Sequence, residues 1–375
     1  MPSKRSRLNG RRSQGDKNRR LFLNVLYFFV FLLLICLTGS VTKYFYGEKS
    51  SPREPGLFTE DEATESAVSF VEETGKIDEL EETEKLEETE EAPVQPVLSF
   101  SSVEISQGDY FSIYLRDVKE SDEIVISTDL EGEEPVFYPY QEGRAALIGV
   151  NYRTVPGEYY FQVQVFRDGS SILDEQKQIS VASKKFETQH LTVTSEQQEK
   201  RTDVLWDEDR KHTTRARSIT AGERLWEGEF LMPLEGRLTT AFGVIRYING
   251  VESERHSGLD IAAPRGTPVK AANSGKVNLA MSLNVTGNTV IIDHGFNLFS
   301  AYCHMDRLLV QEGDTVQKGD IVGEVGSTGF STGPHLHWTI SIGPVFVNPW
   351  LFLEKDPLGW ITARQEAGSW KQQPD

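Results

Sequence analysis

The sequence predicts a mainly β chain, with a C-terminal antiparallel β domain, a smaller β-sandwich before it and one N-terminal transmembrane helix. Three observations carry this. Short runs alternating apolar and polar residues, punctuated by glycine turns, recur from about residue 97 to about residue 350. An uncharged apolar run opens at Leu21. Between the two lies an acidic, repetitive stretch nearly free of aromatic residues.

Residues 1–20, MPSKRSRLNGRRSQGDKNRR, are a basic tail, and residues 21–42 continue as LFLNVLYFFVFLLLICLTGSVT. Roughly twenty residues rising about 1.5 Å each span a hydrocarbon core of about 30 Å. The basic flank places the N-terminus in the cytoplasm and the bulk of the chain outside it. A cleavable signal would have a shorter apolar region and a small-residue cleavage site, so a single-pass anchor in the cell membrane is expected. Residues 43–96, which end in IDELEETEKLEETEEAPVQP, bury too little to offset the entropy of ordering and read as a solvated linker.

Residues 97–187 carry the sandwich pattern, with strands such as FSIYLRDV, DEIVIST, AALIGVNY and YYFQVQVF. Many of the turn signals fall between them, at Gln107-Gly108, Glu142-Gly143, Pro156-Gly157 and Asp168-Gly169. Residues 188–224 are highly charged and suit an exposed helical connector; His190 and His212 read as surface residues. Residues 225–353 are rich in glycine and β-branched side chains and hold five of the seven histidines, and residues 354–375 form a C-terminal tail. The net charge of −18 speaks against nucleic acid as a partner. Cys36 in the apolar run and Cys303 in the C-terminal domain cannot pair, so no intrachain disulfide is expected.

The chemistry concentrates in RHSGLD and GPHLHW, with SAYCHMD between them. His256 and Asp260 stand four apart. His335 and His337 stand two apart on a β-rich segment, so in a strand both rings leave one face while Leu336, Trp338 and Ile340 enter the core. Such a set suits a mononuclear zinc site, which usually takes three protein ligands and leaves one position for water. His256, Asp260 and one of His335/His337 would be the ligands. The remaining histidine and His304 would then serve proton transfer and oxyanion stabilisation in amide hydrolysis. Alternation along a strand would turn Cys303 away from His304 and bury it as a small apolar residue. His294 reads as a turn residue. HExxH and CxxC motifs are absent.

These residues match a known pattern. The stretch from PLEGRLTTAFG through HSGLDIAAPRGTPVKAANSGKV, GNTVIIDHG, FSAYCHM and GDTVQKGDIVGEVGSTGFSTGPHLHW resembles the lysostaphin-like zinc endopeptidases of bacterial cell walls, peptidase family M23. The resemblance implies zinc ligation by His256, Asp260 and His337. It implies His335 acting on the attacking water and His304 stabilising the transition state, with peptidoglycan peptides as substrate. Residues 97–187 resemble, more loosely, the immunoglobulin-like domain that precedes the peptidase in some members. Two other readings compete. A membrane-tethered scaffold that keeps only the fold is disfavoured by the complete set of five site residues. A lipoyl-like carrier is disfavoured by the absence of a modified-lysine turn around Lys318.

Overall fold

A computed structural model describes residues 94–368, apart from 133 and 200. The basic tail, the expected transmembrane helix and nearly all of the acidic linker lie outside the described residues. No helix among the described residues is long and apolar enough to cross a membrane. The described chain is mainly β, as its alternating pattern predicts.

The sandwich consists of two four-stranded sheets. One runs Val97–Phe100, Tyr110–Arg116, Gly143–Gly149, Tyr138–Tyr140; the other runs Glu104–Ser106, Ser170–Ala182, Gly157–Arg167, Glu123–Thr128. Tyr110–Arg116 is buried along nearly its whole length because both of its faces are used. Phe111 and Ile113 enter the sandwich core together with Phe161 and Ile179. Tyr110 and Tyr114 enter a second core that continues into the C-terminal domain through Trp226, Phe230 and Phe296. Tyr110 stacks on Phe352 at 4.5 Å between centroids, and Tyr138 stacks on Phe296 at 4.9 Å.

The C-terminal domain is centred on an eight-stranded antiparallel sheet. Three adjacent strands, Leu259–Ala262, His335–Ile342 and Leu298–Met305, bring the sequence motifs together. Asp260 sits opposite His337 and Ala262 opposite His335, and opposite residues share a face, so one side of the sheet receives the polar row. Leu336, Trp338 and Ile340 fill the other side with no exposure.

The charged connector is not simply exposed. Thr188–Leu191 adds in parallel to Ile245–Ile248. The helix Asp203–Arg217, N-capped by Thr202, packs over the polar side of the sheet with Asp209 and Ala216 buried. Asp209 accepts backbone hydrogen bonds from Asn284 at 2.8 Å and Val285 at 2.7 Å. Its charge content reads as solvation, yet one carboxylate is spent on a neighbouring loop. His190 and His212 are exposed.

Candidate metal centre

His256 follows the strand Val251–Arg255, and Asp260 lies in Leu259–Ala262. Between them Gly258 meets the HxH strand so closely that a Cβ there would stand 2.2 Å from the Trp338 carbonyl oxygen. Glycine therefore lets the two motifs approach within ligand distance. His256 Nε2 lies 2.8 Å from Asp260 Oδ1 and 2.9 Å from His337 Nδ1, and His337 Nδ1 lies 2.8 Å from the same oxygen. His256 and Asp260 are buried; His337 is partly open.

Hydrogen bonds on the outer atoms set the tautomers. His256 Nδ1 donates to the Ala241 carbonyl at 2.8 Å, so in the neutral ring Nε2 presents a lone pair to a carboxylate oxygen. Burial pushes His256 down to about 4, ahead of the opposing pull of Asp260, so the ring is neutral at pH 7. Burial of Asp260 acts against its ionisation, but His256 and His337 outweigh it and hold the carboxyl well below the usual range. Two imidazole nitrogens and a carboxylate oxygen thus converge on one point. A cation satisfies such a donor set, and two His with one Asp is a zinc-type combination.

His304 and His335 face this cluster, with ring centroids 4.8 Å apart. His304 Nδ1 donates to Thr328 O at 2.9 Å, and His335 Nδ1 donates to Gly333 O at 2.8 Å. Each neutral ring therefore keeps Nε2 as its basic atom. Burial, then the neighbouring His335 and His337, pushes His304 down to about 3, and burial also lowers His335. His335 Nε2 stands 3.8 Å from Asp260 Oδ1.

The structure thus brings all five singled-out residues into one cavity of about 410 Å³. Strand alternation does not hold at Cys303. Cys303 is opposite His337 and shares its face, while His304 adopts φ +60° and swings into the same site from a bulged strand end. Cys303 is nonetheless buried, and burial pushes its thiol up to about 12, far from a nucleophile. His294 is a wholly buried core residue, not a simple turn residue: Nδ1 bonds Ser274 O at 2.7 Å and Nε2 bonds Ser300 Oγ at 2.8 Å.

Sequence reasoning missed Arg246. Its guanidinium pairs with Asp260 Oδ2, and its Nε donates to Gln189 Oε1 at 3.2 Å, leaving Oδ1 for the cluster. The available signal was a lone charge in the apolar strand VIRYI.

The profile described as Peptidase family M23 matches residues 254–349. Over these residues the chain is similar to peptidase family M23. The DD-carboxypeptidase/endopeptidase Mpg of Neisseria meningitidis serogroup B is 43% identical over 94 residues, which are 25% of this chain and 22% of that protein. The peptidoglycan DD-endopeptidase ShyC of Vibrio cholerae is 39% identical over 94 residues, with the same shares of 25% and 22%. The matched stretch is thus under a quarter of the length of these relatives. The catalytic domain of the antimicrobial peptidase lysostaphin from Staphylococcus simulans is 32% identical, covering 32% of this chain and 92% of that one at a TM-score of 0.29.

Proposed function

We propose that this chain is an M23 zinc endopeptidase that hydrolyses amide bonds in peptidoglycan peptides, held at the outer side of the cell membrane by its N-terminal apolar run and acidic linker. The observation that carries the reading is the convergence of His256 Nε2, Asp260 Oδ1 and His337 Nδ1, with two further neutral histidines beside them. The name of the Vibrio cholerae relative, a peptidoglycan DD-endopeptidase, supports peptidoglycan as substrate.

A zinc ion held by these three atoms would supply Lewis acidity, acidifying water and polarising the amide carbonyl. His335 accepts the water's proton at Nε2, since its Nδ1 proton is held by Gly333 O, and passes that proton to the leaving amine. His304 is aligned by Thr328 O and donates from Nε2 once that atom is protonated. The charge developing on the substrate oxygen favours that protonation in a pocket that otherwise keeps the ring neutral. Arg246 holds Asp260 in the orientation that turns Oδ1 inward.

The test uses the purified full chain, with bound zinc quantified and peptidoglycans of several cross-bridge types digested, the His335→Ala protein running alongside. Products are read by mass spectrometry. New peptide termini that vanish in the variant while zinc stays bound support the reading and name the scissile bond. Zinc without cleavage of any wall type supports the tethered scaffold, and absence of zinc sinks the metal assignment.

A further inference from the structure

The polar face of the sheet does not end at the metal cluster. A second cavity of about 380 Å³ shares His337, Ser257, Arg255, Thr286 and Trp206 with the catalytic one and continues from it beneath the helix Asp203–Arg217. That size lies within the range of pockets that enclose small ligands. Its floor follows the HxH strand onward from His337 through Thr339, beside Cys303, Ala301 and Ile291. Its roof is the inner face of the helix, with Trp206 at the metal end and Arg217 at the other.

Arg217 is unusual here. Its Nε donates to Ser341 Oγ at 3.1 Å, and its guanidinium lies over Phe346 at 5.1 Å from the ring centroid. Among the described residues it forms no ion pair, and burial pulls it down to about 10 with only the Cys303 thiol acting the other way. Arg217 is half-buried, and a cation partly withdrawn from water in a cleft without a counter-ion suits the reception of an anion. Two buried polar atoms along the channel have no hydrogen-bond partner: Trp206 Nε1, a donor, and Thr339 Oγ1. The channel therefore offers donors along its length and a fixed positive charge at its far end, within apolar walls.

We infer that the channel is a substrate subsite in which an extended peptide runs from the metal cluster beneath the helix and places a carboxylate on Arg217. The inference rests on the peptidase reading above. Ser341 lies four residues beyond His337 on the strand, about 13 Å at roughly 3.3 Å per residue, so the carboxylate sits several residues from the scissile bond or at the end of a long side chain. The planar guanidinium, stacked on Phe346, suits a paired, bidentate hold on a carboxylate. Trp206 Nε1 and Thr339 Oγ1 take up peptide groups on the way.

The experiment uses the zinc-loaded full chain and the stem peptide L-alanyl-γ-D-glutamyl-L-lysyl-D-alanine, each of its carboxylates converted in turn to a carboxamide. Binding is read by calorimetry and cleavage separately by mass spectrometry, for the natural chain, Arg217→Gln and Arg217→Lys. One carboxamide is expected to bind the natural chain about tenfold more weakly than the parent peptide. Arg217→Gln should erase that difference with its zinc content unchanged, and Arg217→Lys should restore part of it. Equal binding of all the peptides to the natural chain overturns the subsite whether or not a variant folds; so does a preference that survives in Arg217→Gln. Carboxylate-dependent binding without cleavage would sink the peptidase reading and leave the subsite standing. Cleavage without carboxylate preference would do the reverse.

Discussion

At the scale of single residues, the centre depends on atoms two bonds away from those that face the cluster. Arg246 occupies Asp260 Oδ2, and Ala241 O, Thr328 O and Gly333 O fix the tautomers of three histidines. Removing such an outer partner typically lowers metal affinity about 10–100-fold. Arg246→Met is therefore expected to weaken zinc binding by that amount in chelator competition while the far-ultraviolet spectrum stays unchanged. His294 lies away from the cluster and isolates a different effect. Burial lowers it from 6.5 to about 4, so between those values the unfolded chain holds a proton that the folded chain lacks. Stability conferred by the neutral ring is whole above pH 6.5 and falls as pH drops, by about 1.4 kcal/mol per unit, until about pH 4. His294→Gln should flatten the fall between pH 6.5 and 5 by that slope in denaturant titrations. An unchanged slope would refute the assignment.

At the scale of elements, the helix Asp203–Arg217 does the most that its sequence does not announce. Asp209 gathers the backbone N–H groups of Asn284 and Val285, and the Thr286 carbonyl next to them accepts from the His304 backbone at 2.8 Å. Replacing Asp209 leaves buried donors unpaired, each costing about 1–3 kcal/mol. Asp209→Ala is expected to lose about 2–4 kcal/mol of stability by urea titration, and Asp209→Asn to lose less. The positive φ at His304 depends on this loop staying in place. Activity should thus fall in Asp209→Ala even at temperatures where the protein remains folded.

At the scale of the molecule, the sandwich and the C-terminal domain share a core. Tyr110, Tyr114 and Leu147 from one pack with Trp226, Phe230 and Phe352 from the other. Asp356 ties the join: it accepts from Arg224 at 2.6 Å and from Trp226 Nε1 at 3.1 Å, while Arg224 also reaches the Tyr140 hydroxyl at 3.0 Å. The C-terminal segment closes the seam, with Trp360 Nε1 donating to Ser112 Oγ at 2.7 Å. Two β units joined this way should unfold as one. A single calorimetric transition with equal calorimetric and van't Hoff enthalpies is expected, and two separated transitions would contradict the shared core.

What the sequence by itself determined is whatever repeats locally. Period-two alternation and glycine turns announce a mainly β chain, and ligand-type residues at spacings of four and two announce a metal site. His335 and His337 reach one face because a strand places alternate residues there, and that follows from a spacing of two. Only the tertiary structure decided the rest. Strand register put Asp260 opposite His337, and a bulge turned His304 back toward the cluster while leaving Cys303 on the same face. Arg246 met Asp260 across a fold of the chain, and a charged connector became a roof over the polar face. These pairings are long-range, and identical local patterns are compatible with many of them. Burial on both faces had the same effect on Tyr110–Arg116. Its alternation signals a half-buried strand, and the second core that its tyrosines enter is built largely from residues more than a hundred positions away.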